Sequence, residues 1–154
     1  LKLLQGYIIP QAGRIEIDKI ELNSDNISAI RSLISYIPQN INLPVKNGNE
    51  LIKMLSIESN KHKISKLIID LGLEKDFLGR SFNEISGGQK QRVIVAVCLS
   101  LDRKIILMDE PTASLDFDST QSIISVIKNL SNKTIVSASH NPDWISATDK
   151  TINL

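Results

Sequence analysis

The chain has 154 residues, enough for one domain with a buried core, and its 42% hydrophobic and 23% charged side chains are ordinary for a soluble globular protein. A formal net charge of +1 gives no electrostatic basis for binding nucleic acid or an acidic membrane surface. The longest apolar run, Val93 to Leu101 with Ser100 inside it, is far shorter than the about 20 residues a bilayer crossing needs; no signal-peptide pattern opens the sequence, and the single Cys98 excludes an internal disulfide and is expected to be a core thiol.

In chain order, Leu1 to Gln5 is expected to be helical and Gly6 to stop it, so that the sequence starts in mid-helix, as a truncated product would. From Arg14 to Leu22, Ile15, Ile17 and Ile20 stand between charged neighbours, the pattern of short strands with one wet face. Leu33 to Ile37 is a second apolar stretch closed by Pro38, and residues 40–47, with Pro44, are a loop. From Asn49 to Phe77 the apolar spacing becomes helical (Leu51, Met54, Leu55, then Ile64, Leu67, Ile68, Leu71), which predicts a small all-helical insert. From Ser86 on, the pattern predicts a helix, a strand over 105–109, a helix over about 117–130, a strand over 134–138, a short helix and a last strand over 150–154. Alternating strands and helices at that spacing imply an α/β fold with a parallel sheet and right-handed crossovers.

Three stretches carry chemistry. Ser86-Gly87-Gly88-Gln89 fits a capping box, in which Ser86 and Gln89 satisfy each other's backbone donors. The same geometry offers a phosphate site, because a helix N-terminus has unpaired N–H groups and two glycines let an anion come close. Ile105 to Glu110 is an apolar strand ending in two carboxylates, Asp109 and Glu110, with Pro111 as breaker. Carboxylates are costly inside a sheet, so their place is its C-terminal edge, where open α/β sheets bind ligands. Ile135 to Ser139 leads to His140 at a βαβ distance, which brings the histidine to the same edge.

In this order and spacing, Ile85–Arg92, Ile105–Thr112 and Ser114-Leu115-Asp116 closely resemble the ATP-binding cassette (ABC) ATPases. The resemblance implies a P-loop NTPase-like parallel sheet with an inserted all-helical subdomain. It divides the chain into a partial core with the Q-loop (1–47), the helical subdomain (48–85) and the remainder of the core (86–154). It implies ATP and Mg²⁺ as ligands and ATP hydrolysis as the reaction. Ser86, Gly87, Gly88 and Gln89 match the signature, which contacts the γ-phosphate held by a partner subunit; Asp109 matches the Walker-B aspartate that holds Mg²⁺. Glu110 matches the base that activates water, Asp116 the D-loop aspartate of the dimer interface, and His140 the switch histidine at the γ-phosphate. Tyr36-Ile37-Pro38-Gln39 resembles the Q-loop, whose glutamine, here Gln39, touches Mg²⁺ or the lytic water.

The sequence departs from the family in having no Gly-x-x-x-x-Gly-Lys-[Ser/Thr] phosphate loop, which is expected just upstream of Leu1; the chain by itself is therefore expected to be inactive. Ile85 stands where leucine is usual, and Ala96-Val97-Cys98 replaces a common Ala-Arg-Ala. The partners implied are a second cassette, head to tail, and the membrane domains of a transporter, at the cytoplasmic face of the membrane; nucleic acid is not expected. The run Ala29 to Gln39, together with Gly13 to Asp18 and Asp149 to Ile152, is similar to exporter-type half-transporters. A chromosome or repair ATPase would need a long coiled coil between Gln39 and Ser86, and no sustained heptads lie there. The remaining alternatives are an inactive or regulatory fragment without the phosphate loop and a soluble ABC ATPase not engaged in transport.

Overall fold

The computed structural model describes residues 1–153. Residues 1–5 make a single helical turn, not a regular helix. Gly6 ends it at a φ of +66°, with its amide donating to the Leu3 carbonyl and the Tyr7 amide donating to that of Lys2. This pair of bonds is a helix stop of the Schellman type. Strands β1 (Glu16–Ile17) and β2 (Ile20–Glu21) form an antiparallel hairpin. Its two-residue turn places Asp18 and Lys19 at φ of 52° and 65°, the left-handed pair that matches strand twist.

Helix α1 (Ile27–Leu33) was not foreseen in the sequence, and it leads directly into β3 (Ile34–Ile37). It buries only Ile30, too little periodicity to announce a helix. The expected insert follows as α2 (Gly48–Met54) and α3 (Lys61–Asp70), each accompanied by a 3₁₀ turn, Glu58–Asn60 and Lys75–Leu78. Asn47 caps α2 by accepting from the Glu50 amide. Helix α3 ends in another Schellman arrangement, with Gly72 at φ +74° and Leu73 donating to the Ile68 carbonyl.

Helix α4 (Gly87–Ser100) is the central element, with Val93, Ile94, Val95, Ala96, Val97 and Leu99 all buried. A helix apolar on nearly every side must be covered on nearly every side. The insert packs on it from one direction and the sheet from the other. The remaining elements are β4 (Ile105–Asp109), α5 (Phe117–Lys128), β5 (Thr134–Ala138) and α6 (Pro142–Ser146).

The sheet is parallel in the order β3-β4-β5, with Tyr36 opposite Leu107 and Asp109 opposite Ala138. Alternation sends Ile37, Ile106 and Met108 into the core. The other face, with Ile34, Ile105, Leu107 and Val136, lines a cavity of about 270 Å³ closed by Leu4 and Ile17. The strand expected over 150–154 is absent from its described residues: 150–153 have no ladder partner and Ile152 is 72% exposed, while Leu154 lies outside the described residues.

Candidate functional site

Parallel pairing fixes the C-terminal edge of the sheet as the place where the sequence's carboxylates and histidine meet. Asp109 is the last residue of β4. Its Oδ2 accepts a hydrogen bond of 3.2 Å from the Tyr36 hydroxyl, on the neighbouring strand and the same face. Burial, followed by the charge of Asp109, pushes the Tyr36 phenol above its usual range, so it stays a donor. Glu110 follows at a φ of +44°, a left-handed conformation that is uncommon outside glycine, and its amide donates to the Ala138 carbonyl at 2.9 Å. The bend turns the Glu110 carboxylate out of the strand direction, so that Oε1 stands 3.7 Å from His140 Nε2. Glu110 is 21% exposed and His140 99% exposed, which leaves the pair open to a ligand arriving from solvent.

Ser86 and Gln89 form the expected capping box: the Ser86 amide donates to Gln89 Oε1 at 2.9 Å and the Gln89 amide to Ser86 Oγ at 3.2 Å. No acceptor among the described residues takes the amides of Gly87 or Gly88, so these are the free donors of the α4 N-terminus. The two glycines differ in their surroundings. A Cβ on Gly88 would lie 2.7 Å from the Ser114 carbonyl oxygen and 3.1 Å from Leu115 Cδ2, whereas on Gly87 the nearest atom would be Ser114 Cβ at 3.8 Å. Gly87 is exposed and free to meet a ligand; Gly88 is needed first by the chain's own packing.

Asp116 is the N-cap of α5 and accepts from the Ser119 amide at 2.8 Å; the Ser119 hydroxyl, followed by that amide and then by the charge of Arg92, holds its carboxyl below the usual range. Gln39 is exposed and lines a cavity of about 300 Å³ with Asn42, Gly87, Lys90, Gln91 and Ser114. It makes no hydrogen bond to Asp109 or Glu110 among the described residues, and the cavity it lines is shared with the first turns of α4.

Three side chains of α4 that the sequence reading left without a role tie these pieces together. Lys90 Nζ donates to the Ile41 carbonyl at 2.8 Å, fastening the segment after Gln39. Gln91 Nε2 donates to the Pro111 carbonyl at 3.1 Å in a buried bond. Arg92 donates to the Leu71 carbonyl at 3.0 Å and so satisfies the end of α3. In the sequence they stand out only as the end of the Ile85–Arg92 run that carries the resemblance, with no contact to assign them.

An α/β edge carrying two carboxylates and a histidine, beside a helix N-terminus with two free glycine amides, suits a nucleotide polyphosphate. The family model described as ABC transporter matches residues 1–113. The chain belongs to the ABC transporter family. This ABC chain is 37% identical to the energy-coupling factor transporter ATP-binding protein EcfA1 of Mycoplasmopsis pulmonis, over 92% of its own length and 57% of the relative's. It is 32% identical to EcfA1 of Mesomycoplasma hyopneumoniae over 98% of its length and 59% of the relative's. It thus spans a little under three fifths of the curated relatives it matches. Among solved structures, a dimeric bacterial ABC transporter cassette, MJ0796, covers 95% of the chain at 26% identity with a TM-score of 0.79. A bacterial Atm1-family ABC exporter with ATP bound covers 96% at a TM-score of 0.83, and its 24% identity speaks to the fold alone. The α/β architecture foreseen from the motifs is therefore that of an ABC cassette.

Proposed function

We propose that the chain forms most of the ATP-hydrolysing cassette of an energy-coupling factor type transporter. The convergence of Asp109, Glu110 and His140 at one sheet edge carries the reading, and the EcfA1 relatives, both above 30% identity, support the transporter class. The exporter-type expectation rests on the Ala29–Gln39, Gly13–Asp18 and Asp149–Ile152 runs alone, since the likeness to a solved exporter is one of fold.

In this reading the sheet edge receives the triphosphate of ATP. The Glu110 carboxylate accepts a proton from water as the water oxygen attacks the terminal phosphorus, and the products are ADP and phosphate. His140, free in solvent and within reach of Glu110, meets the terminal phosphate and orients the base. Gln39, exposed on the loop that follows β3, reaches the water or the metal once nucleotide is bound. Mg²⁺, when bound, neutralises developing phosphate charge. No group of three or more ligating side chains able to hold a metal lies among the described residues. A single Asp109 nevertheless fits Mg²⁺, which usually takes one or two carboxylates and completes its shell with water and substrate phosphate. Ser86, Gly87, Gly88 and Gln89 serve the ATP of a second cassette placed head to tail, Asp116 stands at that contact, and ATP-driven closure of the pair moves membrane domains. The body of the cassette is residues 1–47 and 86–154, with 48–85 as its helical subdomain. No described helix is long and apolar enough to cross a membrane; the peripheral position on the cytoplasmic face is proposed from the likeness to transporter ATP-binding proteins.

The experiment is Glu110→Gln in the full-length protein. ATP binding is expected to persist while steady-state hydrolysis slows by at least about a hundredfold. Hydrolysis near the wild-type rate would remove Glu110 as the base.

A further inference from the structure

We propose that Gln91 is a positioning residue that locks the turn carrying Glu110 to the signature helix, so that the two ends of the nucleotide machinery in one chain move together. The inference rests on Glu110 being the base, and it concerns a side chain to which the resemblance gives no role.

Glu110 has a left-handed backbone, and such a residue persists only where its surroundings over-determine it. One side is fixed by its own amide on the Ala138 carbonyl, and its carbonyl accepts from the Ala113 amide at 3.2 Å. The chain then passes through Pro111, whose ring fixes φ, to a carbonyl that accepts from Gln91 Nε2 at 3.1 Å. Gln91 is 3% exposed, and a buried amide donor of this kind is costly to leave unpaired. Two contacts parallel to it make the joint rigid. Gly88 is pressed against the Ser114 carbonyl, leaving no space for even a methyl group, and Leu115 leans on the same glycine. Helix α4 and residues 110–115 therefore form one bracket. A shift of the α4 N-terminus, whose free amides are those of Gly87 and Gly88, is transmitted through Gln91 to the peptide next to Glu110. Misplacement of a catalytic group by about 1 Å can cost about a hundredfold in rate, so a joint of this kind acts on turnover more than on affinity.

The test uses the full-length protein with Gln91→Met and Gln91→Leu, which keep most of the volume but have no donor for the Pro111 carbonyl. Each is made alone and together with Glu110→Gln. Steady-state ATP hydrolysis is expected to show kcat lowered about tenfold with KM for ATP within about twofold, and no further loss when either change is added to Glu110→Gln. Hydrogen exchange in the same proteins is expected to quicken at the Ala113 and Leu115 amides and to stay unchanged across Ile106–Met108. A kcat within about twofold of wild type, a loss that multiplies with that of Glu110→Gln, or unaltered exchange at Ala113 and Leu115 each overturns the proposal. If Glu110→Gln itself hydrolyses normally, the base assignment fails, and the exchange experiment alone then decides whether Gln91 holds the turn.

Discussion

Cys98 shows how one side chain is tuned by its place. It projects from α4 against the partly buried margin of the core, and burial pushes its thiol up to about 11, with a hydrogen bond to Ser35 only partly offsetting the shift. The native thiol thus keeps its proton to higher pH than the unfolded one. This group adds no pH dependence below the unfolded value of about 8.5, and stability falls as pH rises from there towards 11. Melting temperatures between pH 7 and 10 are expected to decline at the alkaline end, with a shallower slope in Cys98→Ala. An equal slope in the two proteins would show that Cys98 does not carry the effect. Asp116 has the opposite sign: its carboxyl is held low by Ser119, so its support for α5 is present above the unfolded value and fades as pH falls through the native one.

Among the elements, α4 carries both the packing and the chemistry, and its two leading glycines divide the work. Gly87→Ala adds a methyl group at ordinary contact distance on a helix position, where alanine is favoured over glycine by up to about 1 kcal/mol. Gly88→Ala drives a methyl group into the Ser114 carbonyl oxygen, an overpacking that costs about 1–3 kcal/mol. Denaturant unfolding of the two variants is expected to leave Gly87→Ala at or above wild type and to lower Gly88→Ala. Equal stabilities would mean that the turn at Ser114 yields freely. Both substitutions are expected to hinder engagement of a partner's nucleotide, because each narrows the approach to the helix amides.

At the scale of the whole molecule, the sheet gathers three strands so that one edge presents Asp109, Glu110 and His140 together. That edge offers a hard cation very little by itself, with Tyr36 already donating to one oxygen of Asp109. Titration calorimetry is therefore expected to show no Mg²⁺ binding at micromolar levels to the full-length protein without nucleotide, and clear binding once ATP is present. Asp109→Asn is expected to abolish the nucleotide-dependent part. Tight Mg²⁺ binding without nucleotide would mean that other groups complete the site.

What the sequence by itself determined is what depends on neighbours along the chain. The capping box at Ser86 and Gln89, the glycine stop at Gly6, the short strands within 14–22, the βαβ order of 105–138 and the placing of Asp109, Glu110 and His140 at strand ends all follow from short-range hydrogen bonding and period. Only the tertiary structure decided what depends on residues far apart meeting. Packing, not pattern, separates Gly88 from Gly87, joins Gln91 to Pro111 and Lys90 to Ile41, bends the backbone at Glu110, and sets Gln39 beside the signature helix. The missing strand at 150–153 has the same cause: a short segment becomes a strand only where another strand offers its hydrogen bonds, and no amount of local propensity supplies that partner.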